Sequence, residues 1–148
     1  MKIALFLLSI MYIFISSVAF SDNMSPIGTW QTIADSGADK GKAVSYIEIF
    51  KHNGLYFGKI KRLLLKPADT KCDKCKGTLK NKPIVGMTIL SNLKKNGNRY
   101  SGGRILDPAN GKTYRCYMQV LSGGKKLKVR GYIGFSLLGR TQYWYRVK

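Results

Sequence analysis

Apolar and polar residues alternate along most of the chain beyond residue 26, and this period of two is typical of β-strands. Turn-forming pairs interrupt the alternation at Asn53-Gly54, Asn96-Gly97 and Asn110-Gly111. Only residues 68–79 leave room for a helical turn. The pattern predicts eight strands, at residues 27–33, 43–50, 55–63, 84–90, 99–106, 112–120, 126–133 and 140–147.

Eight short strands joined in sequence predict an all-β domain, either a barrel or a sandwich. We expect an eight-stranded antiparallel up-and-down barrel, because closure leaves no exposed edge strand. Connections in such a barrel alternate between its two ends. Those after the second, fourth and sixth strands are tight and contain glycine and lysine, whereas the others include the long segment 64–83 and the apolar segment 135–138. The sequence therefore predicts one sealed end and one loop-rich open end.

The first and last predicted strands contain the residues that we expect to close the barrel. Gly28 permits a close backbone approach, and Trp30 supplies a large apolar side chain with a single N–H donor. If the last strand lies beside the first, the Arg146 guanidinium comes close to the Trp30 indole. We therefore assign structural roles to Gly28, Trp30, Trp144 and Arg146.

A leader precedes the predicted barrel. Lys2 is followed by an apolar run over residues 3–15 and by small residues at 16–19, as in a secretory signal peptide. The apolar run is shorter than the roughly 20 residues that span a bilayer. We expect residues 1–19 to be a signal peptide, cleaved after Ala19 or after Ser21, and residues 24–148 to form a single periplasmic or secreted domain.

The chain is strongly basic, with 26 Lys and Arg residues, 7 Asp and Glu residues and a net charge of +19. Such a charge favours polyanionic partners, although secretion argues against nucleic acid. One hypothesis is therefore a basic interaction module that binds anionic envelope lipid or glycan. Its cations would gather at the sealed end, at Lys51, Lys94, Lys95, Lys125, Lys126 and Lys128.

The three cysteines are the sharpest candidates for chemistry. Thiols of exported proteins tend to pair, and three cysteines leave one unpaired. We predict a structural disulfide from Cys72 or Cys75 to Cys116, which would hold segment 64–83 as a lid over the open end. Free thiols, redox exchange and metal binding are the alternatives. Zinc would need a fourth ligand, and the only histidine, His52, falls at the opposite end, so we expect no metal and no other cofactor.

No grouping of residues indicates catalysis. The acidic residues are scattered, with no pair placed for acid–base work. The run at residues 107–111, Asp-Pro-Ala-Asn-Gly, is explained by turn chemistry. We therefore expect no enzyme activity, and cysteine-based catalysis is the enzymatic alternative.

Several motifs carry a family resemblance. Gly28-Thr29-Trp30 with the late-strand Arg146 resembles the lipocalin-like, or calycin, signature. More of the chain resembles a bacterial secreted family designated domain of unknown function 2147. The matching stretches are residues 28–30, 54–60, 72–77, 83–86, 102–103, 107–114, 130–134 and 139–142, with Trp144 and Arg146. The resemblance covers nearly all of the predicted domain and implies a calycin-like barrel, with no established activity.

A barrel of this size holds one small ligand when its interior is open. We expect a lipocalin-like protein that binds a small apolar or anionic molecule near the open end. The residues expected at this mouth are Tyr114, Cys116, Met118, Phe135, Leu137 and Arg140. The inward apolar set could instead fill a solid core; it comprises Ile47, Ile49, Ile105, Met118, Val120, Leu127 and Val129. The sequence does not distinguish a monomer from a dimer.

Overall fold

The computed structural model describes residues 24–148, so the predicted signal peptide lies outside the described residues. Eight antiparallel strands pair in sequence order and close into one barrel. They are β1 Gly28–Ile33, β2 Ala43–His52, β3 Leu55–Leu63, β4 Thr88–Asn96, β5 Arg99–Asp107, β6 Lys112–Leu121, β7 Lys126–Tyr132 and β8 Gly139–Arg146. The predicted all-β up-and-down barrel is confirmed.

The two ends of the barrel differ as the turn pattern predicts. The β2–β3, β4–β5 and β6–β7 connections are tight and lie at the sealed end. The connections at residues 34–42, 64–87, 108–111 and 133–138 lie at the open end. The longest of them contains a short 3-10 turn, Gly77–Leu79. The loops that could border a ligand are therefore all at one end.

The fourth strand differs from its prediction. Alternation predicted residues 84–90, whereas β4 begins at Thr88 and continues to the hairpin turn after Asn96. Ile84 and Met87 are buried, but they lie in the incoming loop, where the Met87 amide donates to the Ile84 carbonyl. Because this part of the loop packs into the core, its residues are apolar, and its sequence resembles that of a strand.

Pairing of β1 with β8 closes the barrel, and Trp30 lies in register with Arg146. The guanidinium carbon of Arg146 is 4.2 Å from the centroid of the Trp30 ring. The Arg146 guanidinium also donates three hydrogen bonds to backbone carbonyls, those of Ser25, Ile27 and Gly124. The Trp30 indole N–H donates to the Pro26 carbonyl at 2.7 Å. The predicted contact between Trp30 and Arg146 is therefore confirmed, and it ties the segment before β1 to the sealed end.

The sealed half of the barrel is solidly packed. The rings of Tyr56 and Tyr100 meet edge to face, with centroids 4.7 Å apart. A methyl group at Gly103 would overlap the Ser91 carbonyl oxygen and the Leu93 side chain, so the strands pack without spare space there. The packed core also contains the buried side chains of Trp30, Ile49, Leu90, Cys116, Met118, Val120 and Leu127.

Candidate functional site

A cavity of about 920 Å³ occupies the open half of the barrel. This volume lies within the range of roughly 300–1,000 Å³ that is typical of small-molecule sites. Its lower wall, towards the sealed end, is apolar and is formed by side chains from six strands. They include Ile47, Ile60, Ile89, Ile105, Val129 and Trp144.

The cavity exists because inward side chains become smaller towards the open end. On β2 the inward residues run Ile49, Ile47, Ser45 in that direction. On β7 they run Leu127, Val129, Gly131. Side chains on facing strands must meet to fill a barrel, so small residues at the same height leave space between them.

Two hydroxyl groups form the deepest polar feature of the cavity wall. The oxygens of Thr32 and Ser45 are 2.8 Å apart and share a hydrogen bond, and Ser45 is buried. Higher on the wall, the Gln142 side-chain oxygen accepts a hydrogen bond from the Trp144 indole at 3.3 Å. Thr32, Ser45 and Gln142 all line the cavity, so its largely apolar interior offers a few fixed hydrogen-bonding groups.

An ion pair stands at the rim. Arg140 on β8 donates two hydrogen bonds to the Asp35 carboxylate, one of them from Nε to Oδ2 at 2.6 Å. These hydrogen bonds and the positive charge of Arg140 hold the pKa of Asp35 below its usual value. Asp35 therefore stays ionised at neutral pH, and its charge cancels that of Arg140.

Three further cations at the rim have no such partner. Lys66, Lys71 and Lys74 line the cavity mouth and are exposed. None of them takes part in the ion pairs found in residues 24–148. Asp73 also borders the mouth, but the lysines outnumber it, so this side of the rim is positively charged.

The disulfide joins Cys72 to Cys75, and Cys116 is a free, buried thiol. The predicted bond from the loop to Cys116 is therefore wrong. The physical reason is where the loop docks: a methyl group at Gly111 would overlap the Lys74 carbonyl oxygen, so the loop packs on the β5–β6 turn at the rim. Cys116 lies inside the packed core, where burial raises the pKa of its thiol to about 12.

The residues predicted at the mouth fall into three places. Tyr114 and Arg140 line the cavity. Cys116 and Met118 are fully buried in the packed core and do not border the cavity. Phe135 and Leu137 are exposed on the β7–β8 loop and do not border it either.

The sequence reasoning missed several cavity residues that the structure brings together, notably Ser45, Ile60, Ile89 and Gln142. The decrease in inward side-chain size along β2 and β7 was the available signal. Across residues 24–148, no group of three or more His, Cys, Asp or Glu side chains is placed to hold a metal ion. In the same part of the chain, no helix is long and apolar enough to cross a membrane.

A closed antiparallel eight-stranded barrel with a cavity at one end defines the lipocalin-like class of protein. A solved structure supports this class: protein HP1028 from the human pathogen Helicobacter pylori, described as belonging to the lipocalin family. It matches with a TM-score of 0.71 and 26% sequence identity, over 84% of each chain. The chain belongs to the family designated domain of unknown function 2147, described as an uncharacterized protein conserved in bacteria, whose model matches residues 28–146. No curated protein matches it.

Proposed function

We propose that this protein binds one small molecule in the open half of the barrel, with the apolar body of the ligand inside and a polar or anionic end at the rim. The observation that supports this is the cavity of about 920 Å³ with its apolar lower wall. The lipocalin-like fold is consistent with it, because an eight-stranded barrel encloses space for one small ligand.

The wall chemistry defines the ligand class. Burial of apolar surface contributes about 25 cal/mol per Å², so the lower wall favours an apolar body. Thr32 and Ser45 share one hydrogen bond with each other, which leaves them a limited capacity to bind a deep polar group. Lys66, Lys71 and Lys74 at the mouth favour a negative charge at the outer end of the ligand.

Two fluorescent probes with the same ring system test this proposal. N-phenyl-naphthylamine is neutral, and anilinonaphthalene sulfonate carries one negative charge. We expect both to bind with one-to-one stoichiometry. Replacing Lys66, Lys71 and Lys74 together with glutamine should weaken binding of the sulfonate and leave binding of the neutral probe unchanged.

A cavity-filling variant shows where the probes bind. Ile105 lines the cavity and is only partly buried, so an indole there would occupy the space. Ile105→Trp should weaken both probes at least about tenfold, equivalent to about 1.4 kcal/mol. The matched control is Gln119→Trp on β6, which does not border the cavity. Equal probe affinity in the two variants would contradict the proposal.

We propose that the protein acts in the periplasm or outside the cell. Residues 1–19, with their charged start, short apolar core and small-residue end, support this location. Intact-mass analysis of the exported protein should give a chain that begins at Phe20 or Asp22. A product that retains Met1 and stays in the cytoplasm would contradict the assignment.

A further inference from the structure

Large exposed apolar side chains are concentrated at the open end of the barrel. Six of them lie in open-end loops: Leu65, Leu79, Ile133, Phe135, Leu137 and Leu138. The other exposed side chains in the described residues are Met24 and Ile27, which precede β1, and Tyr143 and Tyr145, which lie on the barrel wall at β8. Exposed apolar groups that cluster on one face indicate an interaction surface.

The β7–β8 connection, residues 133–138, contributes four of these side chains and is called the apolar loop below. Their exposed fractions are 67% for Ile133, 62% for Phe135, 84% for Leu137 and 61% for Leu138. Ile133 and Leu138 also line the cavity. The apolar loop therefore combines a strongly exposed tip with a direct border on the mouth.

The backbone carbonyls of residues 134–138 in the apolar loop all accept hydrogen bonds from within the protein. The Ile133 amide donates to the Leu138 carbonyl at 3.0 Å, and the Leu138 amide donates to the Phe135 carbonyl at 3.1 Å. Two arginine side chains below the loop supply the other donors. Arg130 donates to the carbonyls of Ser136 and Leu137, and Arg115 donates to the carbonyl of Gly134. Moving an unpaired carbonyl into an apolar medium is costly, so these hydrogen bonds lower the cost of taking the loop out of water.

Four cations lie near the base of the apolar loop. The guanidinium groups of Arg115 and Arg130 are held there by the hydrogen bonds to its carbonyls. Lys76 and Lys112 border a shallow depression between Leu79 and Ile133. An apolar tip above a group of cations matches the order of acyl chains and phosphates in an anionic membrane interface.

We propose that the open end of the barrel docks on an anionic lipid bilayer. Phe135 and Leu137 insert below the phosphates, and the cations around the base of the loop contact the headgroups. Charge complementarity favours lipid as the occupant, because the long open-end segment 64–87 carries six lysines and two aspartates. Docked in this way, the mouth of the cavity faces the membrane. The proposal does not depend on the proposed ligand binding, because its tests use no ligand.

Vesicle co-sedimentation tests the docking. The wild-type protein should bind phosphatidylcholine vesicles that contain phosphatidylglycerol, and should bind pure phosphatidylcholine vesicles much more weakly. The double variant Phe135→Ser/Leu137→Ser should lose at least about tenfold in partition coefficient, because two large apolar side chains no longer leave water. The matched control is Tyr143→Ser/Tyr145→Ser, since these rings are 41% and 44% exposed on the barrel wall. It should stay close to wild type.

A second pair of variants reports which end of the barrel contacts the vesicle. The native tryptophans Trp30 and Trp144 are buried, so an added surface indole gives a separate signal. Emission from Leu137→Trp should shift to shorter wavelength on vesicles and become protected from iodide. Emission from Lys95→Trp at the sealed end should not change. The reverse pattern would overturn the proposal and assign membrane contact to the sealed-end lysines.

Two further outcomes would overturn the proposal. One is unchanged vesicle binding by Phe135→Ser/Leu137→Ser, with its native fold checked by circular dichroism. The other is a wild-type dimer, seen by sedimentation equilibrium without vesicles, that dissociates in this variant. That result would assign the apolar loop to contact between two copies of the chain.

Discussion

The sealed and open halves of this barrel are built from the same eight strands but have different interiors. In the sealed half, Trp30, Tyr56 and Tyr100 fill the space between the strands. In the open half, the inward positions on two strands fall to Ser45 and Gly131, and a cavity remains. Both halves show the alternation of a half-buried strand. The difference teaches that alternation predicts which side chains face inward, whereas their volume determines whether the interior is full.

The arginines of β8 show the same contrast. Arg146 at the sealed end covers the Trp30 ring and donates to three backbone carbonyls. Arg140 at the open end pairs with one carboxylate, and more than half of its side chain is exposed. One guanidinium is part of the packing, and the other is part of the rim.

The largest expected effect on stability comes from truncating a large buried side chain in the packed half. Trp30→Ala should lower the free energy of unfolding by about 3–5 kcal/mol, because the surrounding strands cannot collapse into the space. Tyr114→Ala is the matched truncation in the open half, where the half-buried ring already borders a cavity. It should cost less than about 1.5 kcal/mol. Denaturant titration measures both, and equal losses would remove the distinction between the halves.

The next largest effect is the difference in stability loss between variants of Arg146 and Arg140. Arg146→Met should cost about 2–4 kcal/mol, because it leaves three carbonyls without their donor and removes the contact with Trp30. Arg146→Lys should recover only part of this loss, since an ammonium cannot reproduce the planar fork. Arg140→Met should change stability by less than about 1 kcal/mol, as expected for an exposed ion pair. Thermal and denaturant unfolding measure both losses of stability. A larger loss for Arg140→Met than for Arg146→Met would refute the prediction.

The pH dependence of the free energy of unfolding tests whether Cys116 lies inside the packed region. Burial raises the pKa of Cys116 to about 12 from an ordinary value of 9.0, so the folded state keeps its proton where the unfolded state loses it. The resulting stability is fully present below pH 9.0 and is lost as pH rises from 9.0 towards 12. Relative to Cys116→Ala, the wild-type protein should lose about 1.4 kcal/mol between neutral pH and one unit above the ordinary thiol pKa.

A thiol reagent provides the control for this prediction. The folded protein should react with iodoacetamide only after unfolding, because Cys116 is fully buried and Cys72 and Cys75 are bonded to each other. Rapid modification of the native protein at mildly alkaline pH would show that the site is open. It would place Cys116 outside the packed region.

The smallest expected effect on stability is at the rim. Asp35→Asn should change the free energy of unfolding by less than about 1 kcal/mol, because the ion pair with Arg140 is partly exposed. The pKa of Asp35 is below its ordinary value of 3.8, so this contribution is present above that pH and is lost as pH falls through the folded-state pKa.

The same variant should change binding more than stability. Removing the carboxylate frees the Arg140 guanidinium and adds net positive charge at the mouth. Anilinonaphthalene sulfonate should then bind several-fold more tightly, and N-phenyl-naphthylamine should bind as before. Equal changes for both probes would show that the rim does not select for charge.

The sequence by itself determined the barrel, its closure and the pairing of Trp30 with Arg146. These features depend on alternation and on turn residues that act over a few neighbouring positions, such as Asn53-Gly54. Alternation placed the start of β4 too early, at residue 84 instead of Thr88, because Ile84 and Met87 are buried while they belong to a loop. Local patterns of apolar residues indicate which residues are buried. They do not distinguish a strand from a loop that packs into the core.

Only the tertiary structure decided the disulfide and the cavity. Cys72 and Cys75 pair with each other because their loop docks on the β5–β6 turn near Gly111, far along the chain from the loop itself. The cavity depends on how Ser45, Ile105 and Gly131 combine at one height in the barrel, although they lie on three different strands. Both outcomes are set by volumes and contacts between distant segments, and no periodicity within one segment contains that information.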